Sequence, residues 1–251
     1  MSIRGLVFDL GHTLMHLNDT WPAIFARGAA DLAAFLHSRG PGLDGEAFAR
    51  TLLDLRREGF ARARETLREV TAWDSMCRTF AHFGLPDPDP VLVEAAIDAF
   101  FAYENTCWVA DPVALPLLQE LAGRGLRLGL FSNATHDPLI QHQVDRFGFR
   151  PWLDPALSSA RVGVRKPDPA AFAPFLEAWG LPPESVAVVG DTLEADILGA
   201  QRAGMWGVWL RSRQQVRQEG GGYDEAGQPD PIVPDATIGG LEELPACLER
   251  L

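Results

Sequence analysis

Cysteine is scarce in this chain: Cys77, Cys107 and Cys247 are the only three, far apart and without a Cys-x-x-Cys pair. That spacing signals neither a zinc site nor a disulfide framework, so buried or idle thiols are expected. Long apolar runs are also missing. No stretch is long and uninterrupted enough for a membrane span, and Asp9 falls where a signal peptide would still be apolar. A cytoplasmic protein with no membrane partner is expected. Basic residues are in the minority, 22 Lys and Arg against 34 Asp and Glu, for a net charge of −12. A nucleic-acid surface would therefore need a local basic patch on an acidic protein, and nucleic acid is not expected as a partner. If the ligand is anionic, its counter-charge must come from lysine, arginine or a bound cation.

What is present is ordinary for a globular protein, with 47% hydrophobic and 22% charged residues in a chain of 251. This length suits one large domain or a core carrying a smaller one, and either folds without covalent staples. Ile3 to Phe8 is mostly apolar and β-prone, as in a strand buried on both faces of a parallel sheet. From about Asn18 to Asn105 no convincing strand occurs, but helical spacing does, for example at Ile24, Phe25, Leu32, Phe35 and Leu36. From Asp111 onward strands and helices alternate, the signature of a parallel sheet with crossover helices. The expected strands are Arg127 to Phe131, Pro155 to Ser159, Val186 to Val189 and Gly207 to Leu210, with a short edge strand at Thr237-Ile238 and a closing helix over Leu241 to Leu251.

Asp111-Pro112, Asp137-Pro138 and Asp168-Pro169 each read as an N-cap acid before a proline at the first helical position. The same dipeptide recurs at Asp87, Asp89, Asp154 and Asp230, so turns and helix starts account for much of the acidic excess. Arg211 to Asp235, with three consecutive glycines, reads as a long polar connection.

Four segments lie at the carboxyl edge of the expected sheet, where open α/β sheets bind ligands. They are Phe8-Asp9-Leu10-Gly11-His12-Thr13-Leu14, Phe131-Ser132-Asn133, Arg165-Lys166-Pro167-Asp168-Pro169 and Val189-Gly190-Asp191-Thr192-Leu193-Glu194-Ala195-Asp196. Singly each is turn chemistry; their order carries the signal. If Asp9, Asp191 and Asp196 converge, they bring a charge of −3 that one divalent cation and Lys166 would balance. Two like charges about 4 Å apart cost roughly 4 kcal/mol at an effective dielectric of 20, so such compensation is required. A carboxylate cluster without soft ligands suits a hard cation such as Mg²⁺.

In this order the segments resemble those of the haloacid dehalogenase superfamily, and Gly199-Ala200 and Ala203-Gly204-Met205 extend the resemblance past the last of them. The resemblance implies an α/β fold, a Rossmann-like three-layer core with a parallel sheet plus a smaller α-helical cap domain. The core would comprise 1–16 and 107–251, the cap 17–106. It implies hydrolysis of a small phosphorylated metabolite, with Asp9 as nucleophile and an aspartyl-phosphate intermediate. Mg²⁺ would be held by Asp9, the Gly11 carbonyl, Asp191 and Asp196. Ser132 and the Asn133 backbone N–H would hold phosphoryl oxygens, and Lys166 would offset charge on nucleophile and phosphate.

Phosphatases of the superfamily usually read Asp-x-Asp-Gly-Thr, the second aspartate serving as general acid and base. Here that position is Gly11, and His12 stands at the usual glycine. A lost acid and base typically costs 10²- to 10⁴-fold in rate. Three readings stay open. The chain is a phosphatase whose leaving group needs little protonation or takes a proton from His12, or less readily His16 or His136; a 2-haloacid dehalogenase, whose leaving halide needs no proton; or a weak relative that binds a phosphorylated ligand. A dinucleotide-binding oxidoreductase is disfavoured, because Gly123-x-Gly125 precedes a strand instead of following one. Trp21, Trp73 and Trp108 are expected mainly in the core of the insertion, while Arg27, Arg62 and Arg64 are ambiguous.

Overall fold

The computed structural model describes residues 2–39, 42–211 and 231–251. They form two compact units, one from the residues up to Leu17 together with those from Val109 onward, the other from Asn18–Trp108.

The first unit is built on a six-stranded parallel sheet ordered β5-β4-β1-β6-β7-β8. Its strands are β1 (Gly5–Phe8), β4 (Arg127–Ser132), β5 (Ala156–Ser158), β6 (Val186–Gly190), β7 (Trp206–Leu210) and β8 (Ala236–Ile238). β1 and β6 are buried at every residue. This is why their sequences read as continuous apolar runs without alternation. One face of the sheet is covered by a cluster that includes Val7, Phe131, Phe172, Phe175, Val188 and Met205. Gly129 belongs to this packing, since a methyl group there would run into the Phe175 ring. Successive side chains of a strand point to opposite faces, so Leu6 and Phe8 face the other layer.

Helices flank the sheet: α5 (Ala114–Gly123), α6 (Asp137–Arg146), α7 (Ser159–Val162), α8 (Ala173–Trp179), α9 (Leu198–Arg202) and α10 (Leu244–Leu248). The closing helix expected over Leu241 to Leu251 is shorter, a 3₁₀ turn at Leu241–Glu243 followed by α10. Two of the expected caps differ as well. The Asp111 carboxylate accepts from the Val113 N–H at 2.9 Å and makes a turn, and α5 begins only at Ala114. Asp137 is the first residue of α6, with His136 at the cap position. Its carboxylate accepts from the Ser158 hydroxyl at 2.7 Å and the Gln141 amide at 3.0 Å, tying α6 to the end of β5. Asp168 does cap, but on a 3₁₀ turn, Pro169–Ala171.

The second unit holds α1 (Trp21–Ser38), α2 (Gly45–Thr66), α3 (Ala72–His82) and α4 (Pro90–Cys107). Thr71 and Asp74 form a capping box at α3, and Asp89 caps α4 ahead of Pro90. α1 and α4 approach closely at Gly28, where a methyl group would meet the Phe100 carbonyl. Trp108 is buried and Trp21 stacks on Phe25 at 5.4 Å, but Trp73 is exposed on α3 and takes no part in the core. Arg27 pairs with Asp31 at the surface, and Arg62 is exposed.

Two short strands, β2 (Met15–Leu17) and β3 (Trp108–Ala110), pair with one another where the chain leaves and re-enters the first unit. Three residues each, with half-exposed positions, give no periodicity to read, so the sequence does not announce them. All three cysteines are free, and burial pushes each thiol up from its ordinary value. Among the described residues no helix is long and apolar enough to cross a membrane. Most of the polar connection expected at Arg211 to Asp235, and Asp230 with it, lies outside the described residues.

Candidate active site

Parallel strands deliver their carboxyl ends to one edge, and the expected residues meet at that edge. Asp9 follows β1 directly, its N–H donating to the Val189 carbonyl of β6 at 2.9 Å. Ser132 is the last residue of β4, Gly190 the last of β6, and Asp191 follows. Lys166 comes from the loop after α7. Its ammonium donates to Asp9 Oδ1 at 2.7 Å, to Asp196 Oδ1 at 2.6 Å and to the Phe131 carbonyl at 2.9 Å. All three donor hydrogens are used, so the lysine is held as firmly as a side chain can be.

Asp9, Asp191 and Asp196 are buried, and each offers a carboxylate oxygen within 4.8 Å of the others. Three hard oxygen donors, without cysteine or histidine among them, fit a divalent cation that prefers oxygen. The local backbone serves this grouping. Leu193–Ile197 is a π-helical turn, in which the Leu198 N–H reaches the Leu193 carbonyl. Such turns recur at functional sites. Here it brings the Asp196 Oδ2 to accept from the Thr192 N–H at 2.9 Å. Gly190 is required by the same turn, because a methyl group there would occupy the space of the Asp196 carboxylate. Trp209 on β7 donates its indole N–H to the Asp191 carbonyl at 3.0 Å. Trp209 does not stand out as a supporting residue in the sequence; only the order of strands brings it there.

Burial raises the Asp9 carboxyl above its ordinary value, with Lys166 opposing and Asp196 reinforcing the shift. Burial alone would lower the Lys166 ammonium, but the charges of Asp196 and Asp9 outweigh it and hold the group well above its usual value. Lys166 is therefore a fixed positive charge. If all three carboxylates are ionised, the local charge is −2, which a divalent cation would neutralise.

The turn after Asp9 is tight: the Thr13, Leu14 and Met15 N–H groups all converge on the Leu10 carbonyl. Thr13 donates its hydroxyl to Asp9 Oδ2 at 3.2 Å. His12 is the residue of this turn with positive φ, +61°. That conformation is uncommon outside glycine, so the histidine sits in a backbone slot shaped for glycine. His16 lies in β2 and His136 precedes α6. Ser132 is buried at the strand end. Asn133 uses its side chain inside the protein: Oδ1 accepts from the Lys166 N–H at 2.9 Å and Nδ2 donates to the Lys166 carbonyl at 3.0 Å. Ser159 pins the next residue, accepting from the Ala134 N–H at 2.9 Å.

A family model of haloacid dehalogenase-like hydrolases matches residues 3–204. The chain belongs to this family. Among its relatives within these hydrolases are the glyceraldehyde 3-phosphate phosphatase of Methanopyrus kandleri and the phosphoserine phosphatase of Thermus thermophilus. The first is 32% identical over 63% of this chain and 64% of its own length. The second is 34% identical over 59% and 54%. The matches thus span between about half and two thirds of those relatives. Among solved structures, a 2-haloacid dehalogenase from Pseudomonas syringae superposes with a TM-score of 0.68 at 26% identity, covering 99% of both chains. The chain shares the α/β fold of this family, which places it among hydrolase-type enzymes.

Proposed function

We propose that this chain hydrolyses small phosphomonoesters, with Asp9 as the nucleophile and Mg²⁺ as the cofactor. One observation carries the reading: three buried carboxylates grouped within 4.8 Å of one another beside a lysine that two of them hold. By resemblance, dehalogenation does not require a metal, and three converging acids would be a costly arrangement without one. The relatives named as phosphatases support the same choice.

Asp9, the Gly11 carbonyl, Asp191 and Asp196 would hold the metal, which when bound supplies positive charge to the phosphoryl oxygens. The Asp9 carboxylate forms a bond to phosphorus as the bond from phosphorus to the leaving oxygen breaks. Lys166 balances the charge on both partners, and Ser132 and the Asn133 N–H receive phosphoryl oxygens. Water then cleaves the aspartyl-phosphate and releases inorganic phosphate. The leaving oxygen takes its proton from His12 or from water, because Gly11 has none to give. Substrate choice is assigned to the helical insertion, serving as the cap of the family.

Phosphate release over a panel of small phosphomonoesters, sugar phosphates and an aryl phosphate is expected to require Mg²⁺ and stop in EDTA. In Asp9→Asn it should fall by at least about 10⁴-fold. Turnover that survives EDTA or that substitution overturns the reading. On a poor leaving group, His12→Ala should lower the rate and Gly11→Asp raise it; equal rates for wild type and His12→Ala remove the histidine from the proton transfer.

Dehalogenation is the second reading, favoured by the missing acid at position 11 and by the likeness to the Pseudomonas syringae dehalogenase. Chloride release from 2-chloropropionate without phosphate release from the panel would establish it. With neither activity, tight binding of vanadate would make the chain a weak phosphate-binding relative.

A further inference from the structure

Asn133 follows β4 and Lys166 lies in a loop that arrives from beyond β5, so nothing in their local sequence fixes one against the other. The Asn133 amide spans the gap with two hydrogen bonds to a single residue, accepting from the Lys166 N–H at 2.9 Å and donating to the Lys166 carbonyl at 3.0 Å. The two contacts are complementary: only with Oδ1 toward the N–H and Nδ2 toward the carbonyl are both satisfied, so one orientation of the amide is selected. The lysine so held is buried and donates to both Asp9 and Asp196. A shift of the Lys166 backbone would misplace the charge beside Asp9.

We propose that the Asn133 side chain is a positioning residue, a two-point clamp on the Lys166 backbone that sets the ammonium between Asp9 and Asp196. Its kinetic consequence rests on the hydrolase reading above; the clamp itself does not. This role is separate from any contact its backbone N–H makes with substrate. Misplacement of about 1 Å at a reacting centre can cost on the order of 10²-fold in rate. Asn133→Ala should therefore lower kcat by about 10- to 100-fold with little change in KM. A side chain that touched substrate in the ground state would raise KM instead.

The test is a double-mutant comparison, run with Mg²⁺ in single-turnover reactions on an activated aryl phosphate. Asn133→Ala is made in the wild type and in Lys166→Ala. If Asn133 acts through the lysine, its loss costs little further once Lys166 is gone. An equal loss in both backgrounds, or a loss confined to KM, overturns the proposal. A readout independent of turnover is hydrogen exchange at the Lys166 amide, which should quicken at least about 10-fold in Asn133→Ala relative to its neighbours. Asn133→Asp, which keeps the acceptor but puts a carboxylate oxygen against the Lys166 carbonyl, should retain more of that protection, and it serves if the alanine variant does not fold. Unchanged exchange in both variants refutes the clamp. A wild-type enzyme inert on every ester would sink the phosphohydrolase reading while leaving the exchange experiment to decide the clamp.

Discussion

Each unit of the molecule buries a charged pair, and the two are compensated in different ways. In the sheet unit Lys166 donates directly to two carboxylates and a carbonyl within 2.9 Å. In the helical unit Arg56 of α2 is buried with its guanidinium over the rings of Phe60, Phe100 and Phe101 at 5.0 to 5.5 Å. Glu104 of α4 is equally buried, and burial pushes its carboxyl up to about 7 from the usual 4.5, with Arg56 and Trp108 only partly opposing. The charges of Asp196 and Asp9, helped by their hydrogen bonds, keep the lysine charged. Glu104 instead hovers near the point where it gives its charge up. Burial by itself does not fix a charge; whether the opposing charges and hydrogen bonds outweigh it does.

The largest effect that would break this contrast is loss of the lysine. Lys166→Met strands Asp9 and Asp196 without their cation, so the metal-free protein at neutral pH should lose about 3–5 kcal/mol in urea unfolding, partly recovered on adding Mg²⁺. Unchanged stability would show that the contacts are not the source of compensation. The next concerns Glu104. Its folded-state value lies above the unfolded one, so the folded chain holds a proton that the unfolded chain has lost between pH 4.5 and about 7. The stability it contributes is full below pH 4.5 and is lost as pH rises through about 7, a change of roughly 3 kcal/mol. Urea midpoints of the wild type should therefore fall relative to Glu104→Gln between pH 5 and 8; parallel curves would place the titration elsewhere. The smallest is a control that touches neither pair. Thr71→Ala removes the capping box of α3 and should cost about 1 kcal/mol at any pH, read from the same unfolding curves.

The two regions were also unequally legible. Strands buried on both faces declare themselves as unbroken apolar runs, and β1, β4, β6 and β7 lie within a residue or two of where Leu6, Leu128, Val188 and Val208 suggest them. Asp9 and Asp191 are readable because each directly follows a strand of one parallel sheet, and Asp196 and Lys166 because their segments come after strands of the same sheet, whose carboxyl ends share an edge. What was not readable depends on partners distant in sequence. Asp137 looks like a cap until Ser158 takes its carboxylate, and Asn133 looks like a turn residue until the Lys166 backbone comes against it. Arg56 and Glu104 give no signal at all, since a lone charge in an amphipathic helix usually faces water. Trp73 departs for the converse reason: an aromatic at helical spacing predicts core, and this one is exposed.

The strand order has a consequence for how the enzyme is made. β1, which Asp9 directly follows, precedes β4 and β6 in the chain, yet it lies between them. It must wait for both. Leu130 reaches its partner Phe8 only after the whole helical insertion has been translated, and Val189 arrives later still. Of the charge-bearing residues, Lys166 is made before Val189, and Asp191 and Asp196 come just after it. Domains generally fold as units during synthesis. Until those last acids are in place, the buried grouping of Asp9 with Asp191 and Asp196 cannot form.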